Sequence, residues 1–256
     1  MPAKHPEGDR NFNDLSHRFK RNIYDSPKGQ IRLAILQRDF KSLPLAAGSR
    51  VLDVGAGQGQ FALWLASQGH KVLLTDVAEE MLLAAQEQAS TQVFDYPPSF
   101  ELADLWSLPE QDNFAVVTCH AVLEWLEEPM KAIDVLWSKV AVGGYLSLLF
   151  YNVHGLVFKN LLRANYKKIV KGDLRGQRGT LTPISPLAPM NVLAKLETLG
   201  AELCCHSGVR VFHDYIFDAA ASQQAPETMM ALELELSTVD PYRGLGRYVH
   251  VVVKKS

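Results

Sequence analysis

Residues 51–60, Val-Leu-Asp-Val-Gly-Ala-Gly-Gln-Gly-Gln, constrain this chain more than any other stretch. A short apolar run ends in glycines at 55, 57 and 59, and an apolar helical pattern, Phe61-Ala62-Leu63-Trp64-Leu65-Ala66, follows at once. Strand, glycine turn and helix in that order build a ligand site at the carboxyl end of the first strand of an open α/β sheet. Lacking a Cβ, the glycines let the N–H groups of Gly55, Ala56 and Gly57 approach a ligand closely. A second strand over 71–75 ends on Asp76, about twenty residues past the first glycine. A carboxylate there accepts hydrogen bonds from both hydroxyls of a ribose, and it also suits a cap for the helix beginning near Val77.

Two nucleoside cofactors fit so far. A dinucleotide site prefers Gly-x-Gly-x-x-Gly, and the third of those glycines is Gln60 here. Asp53 lies inside the strand, two places before the first glycine. The pattern Asp-x-Gly-x-Gly-x-Gly resembles the signature of class I S-adenosylmethionine (SAM) methyltransferases. SAM has no pyrophosphate and is cationic at its sulfonium and ammonium, which suits an acidic site. The balance favours SAM over NAD.

From residue 51 onward strands and helices alternate, which predicts a mostly parallel sheet. Helices are expected over 78–89, 129–140, 190–199 and 225–237, and further strands over 100–102, 114–119, 145–150, 201–211 and 247–253. Polar groups gather where the strands end. Asp104, Leu105 and Trp106 follow the third strand, where an aromatic can sandwich an adenine and Asp104 can accept its amino hydrogen. His120 ends the fourth strand, and Tyr151, Asn152 and His154 end the fifth. Ahead of the alternation, an amphipathic helix over 11–22, a turn at 26–29 and a helix over 31–40 are expected to form a helical lid within residues 1–48. Arg32 is placed there to reach the cofactor's carboxylate.

The chain of 256 residues, 47% hydrophobic and 21% charged, is large enough for one α/β domain spanning 1–256 with an insertion. Cys119, Cys204 and Cys205 are odd in number and lack metal-ligand spacing, so reduced thiols, a cytoplasmic location and no metal are expected. Residues 1–13 show no apolar core of a signal peptide, and no run approaches the length of a membrane span. The formal net charge of −2 conceals a segregation. Within the insertion at 155–189, residues 159–178 carry Lys159, Arg163, Lys167, Lys168, Lys171, Arg175 and Arg178 against the single acid Asp173. The rest of the chain then holds 19 of the 26 basic and 27 of the 28 acidic residues. Such an excess is the footprint of a polyanion-binding surface, with Asn165 and Tyr166 available for hydrogen bonding and stacking; RNA is the leading partner.

Several blocks narrow the resemblance: Asp9-Arg10-Asn11-Phe12, Arg21-Asn22-Ile23-Tyr24, His120-Ala121-Val122-Leu123-Glu124-Trp125, Phe150-Tyr151-Asn152-Val153-His154-Gly155-Leu156, Gly208-Val209-Arg210-Val211-Phe212-His213-Asp214-Tyr215 and Leu245-Gly246-Arg247-Tyr248-Val249-His250. Together they resemble the bacterial tRNA 5-carboxymethoxyuridine methyltransferases from about Asp9 onward. The resemblance implies a seven-stranded Rossmann-like class I methyltransferase sheet, its last strand inserted antiparallel, and SAM-dependent esterification of a carboxylate on the tRNA wobble uridine. It implies SAM contacts at Arg32, Gly55, Ala56, Asp76, Leu105, Trp106 and His120, to which the glycine turn adds Asp53 and Gly57. Ala56 replaces an expected glycine but keeps its N–H. A carboxylate acceptor calls for arginine, whose planar fork pairs with it bidentately. Arg210 and Arg247 are therefore the candidates to hold it, assisted by Tyr151, Asn152, His154, Tyr24 and His213. A methyltransferase acting on a small-molecule acid, and a SAM-binding subunit without transfer activity, remain alternatives.

Overall fold

The structure of the chain, a computed structural model, describes residues 26–108, 113–172, 174, 176, 183–218, 220 and 224–256. The expected helix over 11–22, Tyr24, and Asp173, Arg175 and Arg178 of the basic segment lie outside the described residues. The elements run α1 (Pro27–Lys41), β1 (Arg50–Val54), α2 (Gln60–Ser67), β2 (Lys71–Asp76), α3 (Glu79–Ser90), β3 (Ser99–Leu102), β4 (Phe114–His120), α4 (Pro129–Lys139) and β5 (Val140–Tyr151). Then come α5 (Val153–Leu162), α6 (Tyr166–Val170), α7 (Pro189–Thr198), β6 (Ala201–Val209), α8 (Pro226–Leu236), α9 (Tyr242–Leu245) and β7 (Tyr248–Lys255).

Among the described residues seven strands form one sheet in the order β3-β2-β1-β4-β5-β7-β6. β1 to β5 are mutually parallel, and β7 enters antiparallel between β5 and β6. The central strands read as continuous apolar runs because helices cover both faces. On one face Ile31, Ile35 and Phe40 of α1 join Phe61 and Leu65 of α2 and Leu82 of α3. On the other, Ile133 and Leu136 of α4 meet Val192 and Leu196 of α7.

Three expectations change in detail. Residues 26–29 open α1, with Ser26 at the cap position and Pro27 in the first turn, where its missing N–H costs nothing. β5 begins ahead of the expected 145–150 span and runs through Gly143 and Gly144; the ladder with β4 shifts register beside them. The basic insertion starts as a helix packed into the fold, since Leu156 and Asn160 of α5 are buried. Its cations are displayed farther out: Arg163, Lys167 and Lys171 are exposed.

Candidate cofactor and acceptor sites

The cofactor half of the site lies at the carboxyl ends of β1, β2 and β4. Gly55 adopts φ of +69°, and a Cβ there would collide with Val122, so only glycine lets the segment after β4 close onto this turn. The N–H groups expected to face a ligand are instead spent inside the protein. Those of Gly55 and Ala56 both donate to the Thr75 carbonyl, at 2.8 and 2.9 Å, and that of Gly57 donates to Asp76 Oδ2 at 2.8 Å. Ala56 thus offers a methyl group and a backbone shape. A pyrophosphate needs such donors turned outward, so this part of the turn suits a cofactor that lacks one.

Two buried carboxylates floor this half. Asp53 Oδ1 accepts from Thr118 Oγ1 at 2.5 Å, yet burial pushes its carboxyl up to about 7 against that bond and the nearby Arg32. Asp76 Oδ1 accepts from Ala78 N–H at 2.9 Å, which makes it a helix-start cap as well. A carboxylate has about four acceptor positions, so these bonds leave room for a ribose. Burial also raises the Asp76 carboxyl. The region after β3 is more committed than expected. Asp104 Oδ1 accepts from the N–H groups of Trp106 and Ser107 at 2.7 and 2.8 Å, Leu105 is buried in the core, and Trp106 packs against that core half-buried.

His120 sits at the end of β4, its ring 5.0 Å from that of Phe61. Its Nε2 meets Ser147 Oγ at 2.8 Å, Ser147 Oγ meets His250 Nε2 at 2.9 Å, and His250 Nδ1 meets Asp39 Oδ2 at 2.7 Å. The chain ends on Arg38, which is bound to Asp39 Oδ1 through Nε and Nη2 at 3.0 and 2.6 Å. Among the described residues His120 Nδ1 is buried without a partner, and burial holds this imidazole well below its ordinary range, hence neutral.

The acceptor half forms where the segment after β6 meets the start of β7. Arg210 Nη2 and Arg247 Nε approach Asp214 Oδ2 at 3.5 and 3.6 Å, so one buried carboxylate draws both guanidinium groups together. Arg210 lies over the Tyr248 ring at 5.2 Å and Arg247 over the Tyr151 ring at 4.6 Å. Among the described residues Arg210 Nε and Arg247 Nη1 are buried without hydrogen-bond partners, while His213 Nδ1 and Asp214 Oδ1 face each other at 3.7 Å. Two cations on one anion leave a net positive pocket with unspent donors. Against its burial, Arg210 first, then a bond to His213, then the Lys159 and Arg247 charges hold Asp214 well below the usual carboxylate range. Lys159 of the basic segment belongs to the same field: burial, with Arg247 nearby, lowers its amine to about 8.

Side chains not singled out in the sequence hold this half in shape. Glu233 of α8, fully buried, accepts from the N–H groups of Val211, Phe212 and His213 at 2.8, 3.1 and 2.7 Å. Tyr215 Oη donates to the Leu245 carbonyl at 2.6 Å. A Cβ on Gly208 would strike the Arg243 carbonyl, so glycine is needed for the 243–247 turn to lie this close. Asn152, expected to help the acceptor, is spent on that turn. Its Nδ2 donates to the carbonyls of Gly244 and Gly246 at 3.0 and 2.9 Å, while its Oδ1 accepts from His154 N–H. His154 itself is exposed on the first turn of α5, and among the described residues its ring joins none of these contacts.

A methyltransferase domain family matches residues 52–148. The chain is 36% identical over 256 residues to the tRNA 5-carboxymethoxyuridine methyltransferase of Escherichia coli K12, covering 96% of this chain and 97% of that protein. The chain belongs to the tRNA 5-carboxymethoxyuridine methyltransferase family. This is a class I SAM-dependent group. A magnesium protoporphyrin IX methyltransferase from Synechocystis, solved with bound SAH, shares the fold at a TM-score of 0.61 and 20% identity over 96% of each chain. A ubiquinone biosynthesis O-methyltransferase of Acinetobacter baylyi is 32% identical over 105 residues, 39% of this chain and 42% of that protein.

The cofactor of the tRNA 5-carboxymethoxyuridine methyltransferases fits the residues present. Asp53 offers negative charge to a cation, Asp76 offers acceptors to a ribose, and His120 Nδ1 is a ring nitrogen with no partner among the described residues. A cation settling near Asp53 favours its ionised form. Because Asp53 lies near 7 in the free protein, SAM binding at neutral pH should expel part of a proton. Affinity should therefore climb as pH rises through 7 and level off above it. Calorimetry in two buffers of different ionisation heat measures that proton, and Asp53→Asn should abolish it. Binding without proton release in the wild-type protein would separate Asp53 from the cofactor.

Proposed function

We propose that this chain transfers the methyl group of SAM to the carboxylate of 5-carboxymethoxyuridine at the tRNA wobble position, giving the methyl ester. The pair Arg210 and Arg247, drawn together on Asp214 with guanidinium N–H groups unspent, carries the reading. SAM supplies an electrophilic methyl group. A carboxylate, with a reference pKa of about 4, is already a nucleophile at neutral pH and needs no base. The protein's task is to strip water from it and hold one oxygen in line while gripping the other. Arg210 Nε and Arg247 Nη1 are the grip. Burial pushes the Tyr151 phenol well above the usual tyrosine range, so it stays a hydrogen-bond donor. We assign SAM contacts to Arg32, Asp53, Gly55, Ala56, Gly57, Asp76, Leu105, Trp106 and His120; for Gly55, Ala56 and Gly57 the contact is through shape, since their N–H groups are occupied.

The basic segment on α5 and α6 is the proposed track for the anticodon arm. It is continuous with the acceptor pocket through Lys159, and Tyr166 is exposed on it. Mass spectrometry of wobble nucleosides, after incubating SAM and the purified chain with tRNA bearing 5-carboxymethoxyuridine, should show the ester; no ester would sink the reading. Reversing Lys167 and Lys168 to Glu should weaken tRNA binding and flatten its salt dependence, with SAM affinity intact. Unchanged affinity and salt slope would leave α6 a solvated face.

A further inference from the structure

The hydrogen-bonded chain behind His120 has one consistent proton arrangement. Asp39 is ionised: despite burial, its bonds to His250 and Arg38 lower it to about 2. A carboxylate only accepts, so His250 Nδ1 must carry the proton shared with Asp39. Arg38 already neutralises Asp39, and Arg38 is itself bound to the Leu234 carbonyl and to the hydroxyls of Ser237 and Ser207. A second proton on the fully buried His250 would leave an uncompensated charge there. The arrangement with a single proton on the His250 ring, at Nδ1, leaves Nε2 bare and accepting from the single Ser147 hydroxyl proton. That proton being spent, Ser147 Oγ can only accept from His120 Nε2–H. Burial keeps the His120 ring neutral, so its Nδ1 is left as a lone pair.

We propose that Asp39, His250 and Ser147 form a positioning relay that locks His120 in the Nε2–H tautomer, so that His120 Nδ1 accepts a hydrogen bond from a donor on the cofactor. The proposal rests on the assignment of SAM to the β1–β2–β4 end of the sheet. It accounts for three polar side chains on adjacent strands, the buried Ser147 and His250 and the partly buried His120, with β4, β5 and β7 bringing them onto one face. Thr118↔Ser147↔Val252 and His120↔Leu149↔His250 are paired rows, and Asp53 pairs with Thr118 on the next strand. It also accounts for the orphaned Nδ1, which would otherwise be a desolvated acceptor with nothing to offset the cost. The relay residues act through His120 and touch no reacting atom.

The test uses the full chain labelled with ¹⁵N-histidine, with a ring-nitrogen correlation spectrum at neutral pH and the His120 signals assigned by their loss in His120→Gln. The expected spectrum has His120 Nε2 protonated and Nδ1 bare before any cofactor is added, with the Nδ1 signal moving on SAM titration. Ser147→Ala should scatter His120 between tautomers and weaken SAM binding by about fivefold, the scale of one neutral hydrogen bond. In the His120→Gln background the same substitution should leave SAM affinity unchanged, because the two residues act as one unit. A protonated Nδ1 in the wild-type chain, an Nδ1 signal unmoved by SAM, or additive effects of the two substitutions would overturn the relay. A wild-type chain that passes these tests but fails to esterify tRNA would remove the acceptor assignment and leave the relay standing.

Discussion

Arg210→Lys is expected to slow single-turnover methyl transfer more than tenfold, roughly 1.4 kcal/mol or more, while SAM affinity stays at the wild-type value. Both side chains are cationic and both bear the same strain at this backbone position, whose φ is +59°. What the substitution removes is the planar fork, and with it Nε, the buried donor left without a partner. Lysine offers a single point of attachment, which pivots about the acceptor carboxylate. The same assignment fixes the pH behaviour. An acceptor already ionised gives a transfer rate nearly flat from about pH 6 to 9. Only tRNA affinity should weaken at the upper end, as Lys159 loses its charge above about 8. A rate rising tenfold per pH unit through neutrality would point to a base-activated acceptor and end the carboxylate reading.

Glu233→Ala is the second large effect. It removes the carboxylate that accepts from three successive N–H groups, that of Val211 buried and those of Phe212 and His213 partly buried. Each buried donor left unsatisfied costs on the order of 1–3 kcal/mol, so a loss of about 3 kcal/mol or more is expected in denaturant unfolding. The segment from Arg210 to Asp214 hangs from these bonds, so transfer to tRNA should fall even under conditions where the variant is folded and binds SAM normally. A variant as stable and as active as wild type would mean the segment is held by Tyr215 and the Asp214 ion pairs alone.

Local patterns in the sequence announced the first half of the site. The run 51–54, the glycines and Asp76 lie within one strand–turn–helix–strand unit, and short-range spacing carries their geometry. Arg210 and Arg247 were recognisable by residue type, although Asp214, which brings them together, was not. The rest depends on contacts far apart in sequence. His250 and Asp39 are 211 positions apart, and neither lies in a pattern that announces the other. Glu233 looked like one more polar position on a helix, because the backbone groups it serves belong to a segment twenty residues earlier. Occupied N–H groups at 55–57 were also invisible, since what occupies them is the end of β2. The position of β7 came from the family resemblance, as strand order leaves no local mark.

That position has a consequence for biosynthesis. β5 and β6 are translated first, yet they do not pair with each other; each pairs only with β7 on the side where they would meet. Until residues 248–255 have been made and have entered between them, both present open edges, a state prone to wrong pairing. The same short stretch, with Arg247 immediately before it, brings Tyr248 to the acceptor pocket and His250 to the back of His120. A nascent chain on the ribosome, surrounded by tRNA, therefore lacks the acceptor half of the site until this late strand arrives. Competence to modify tRNA appears in one step, when the sheet closes.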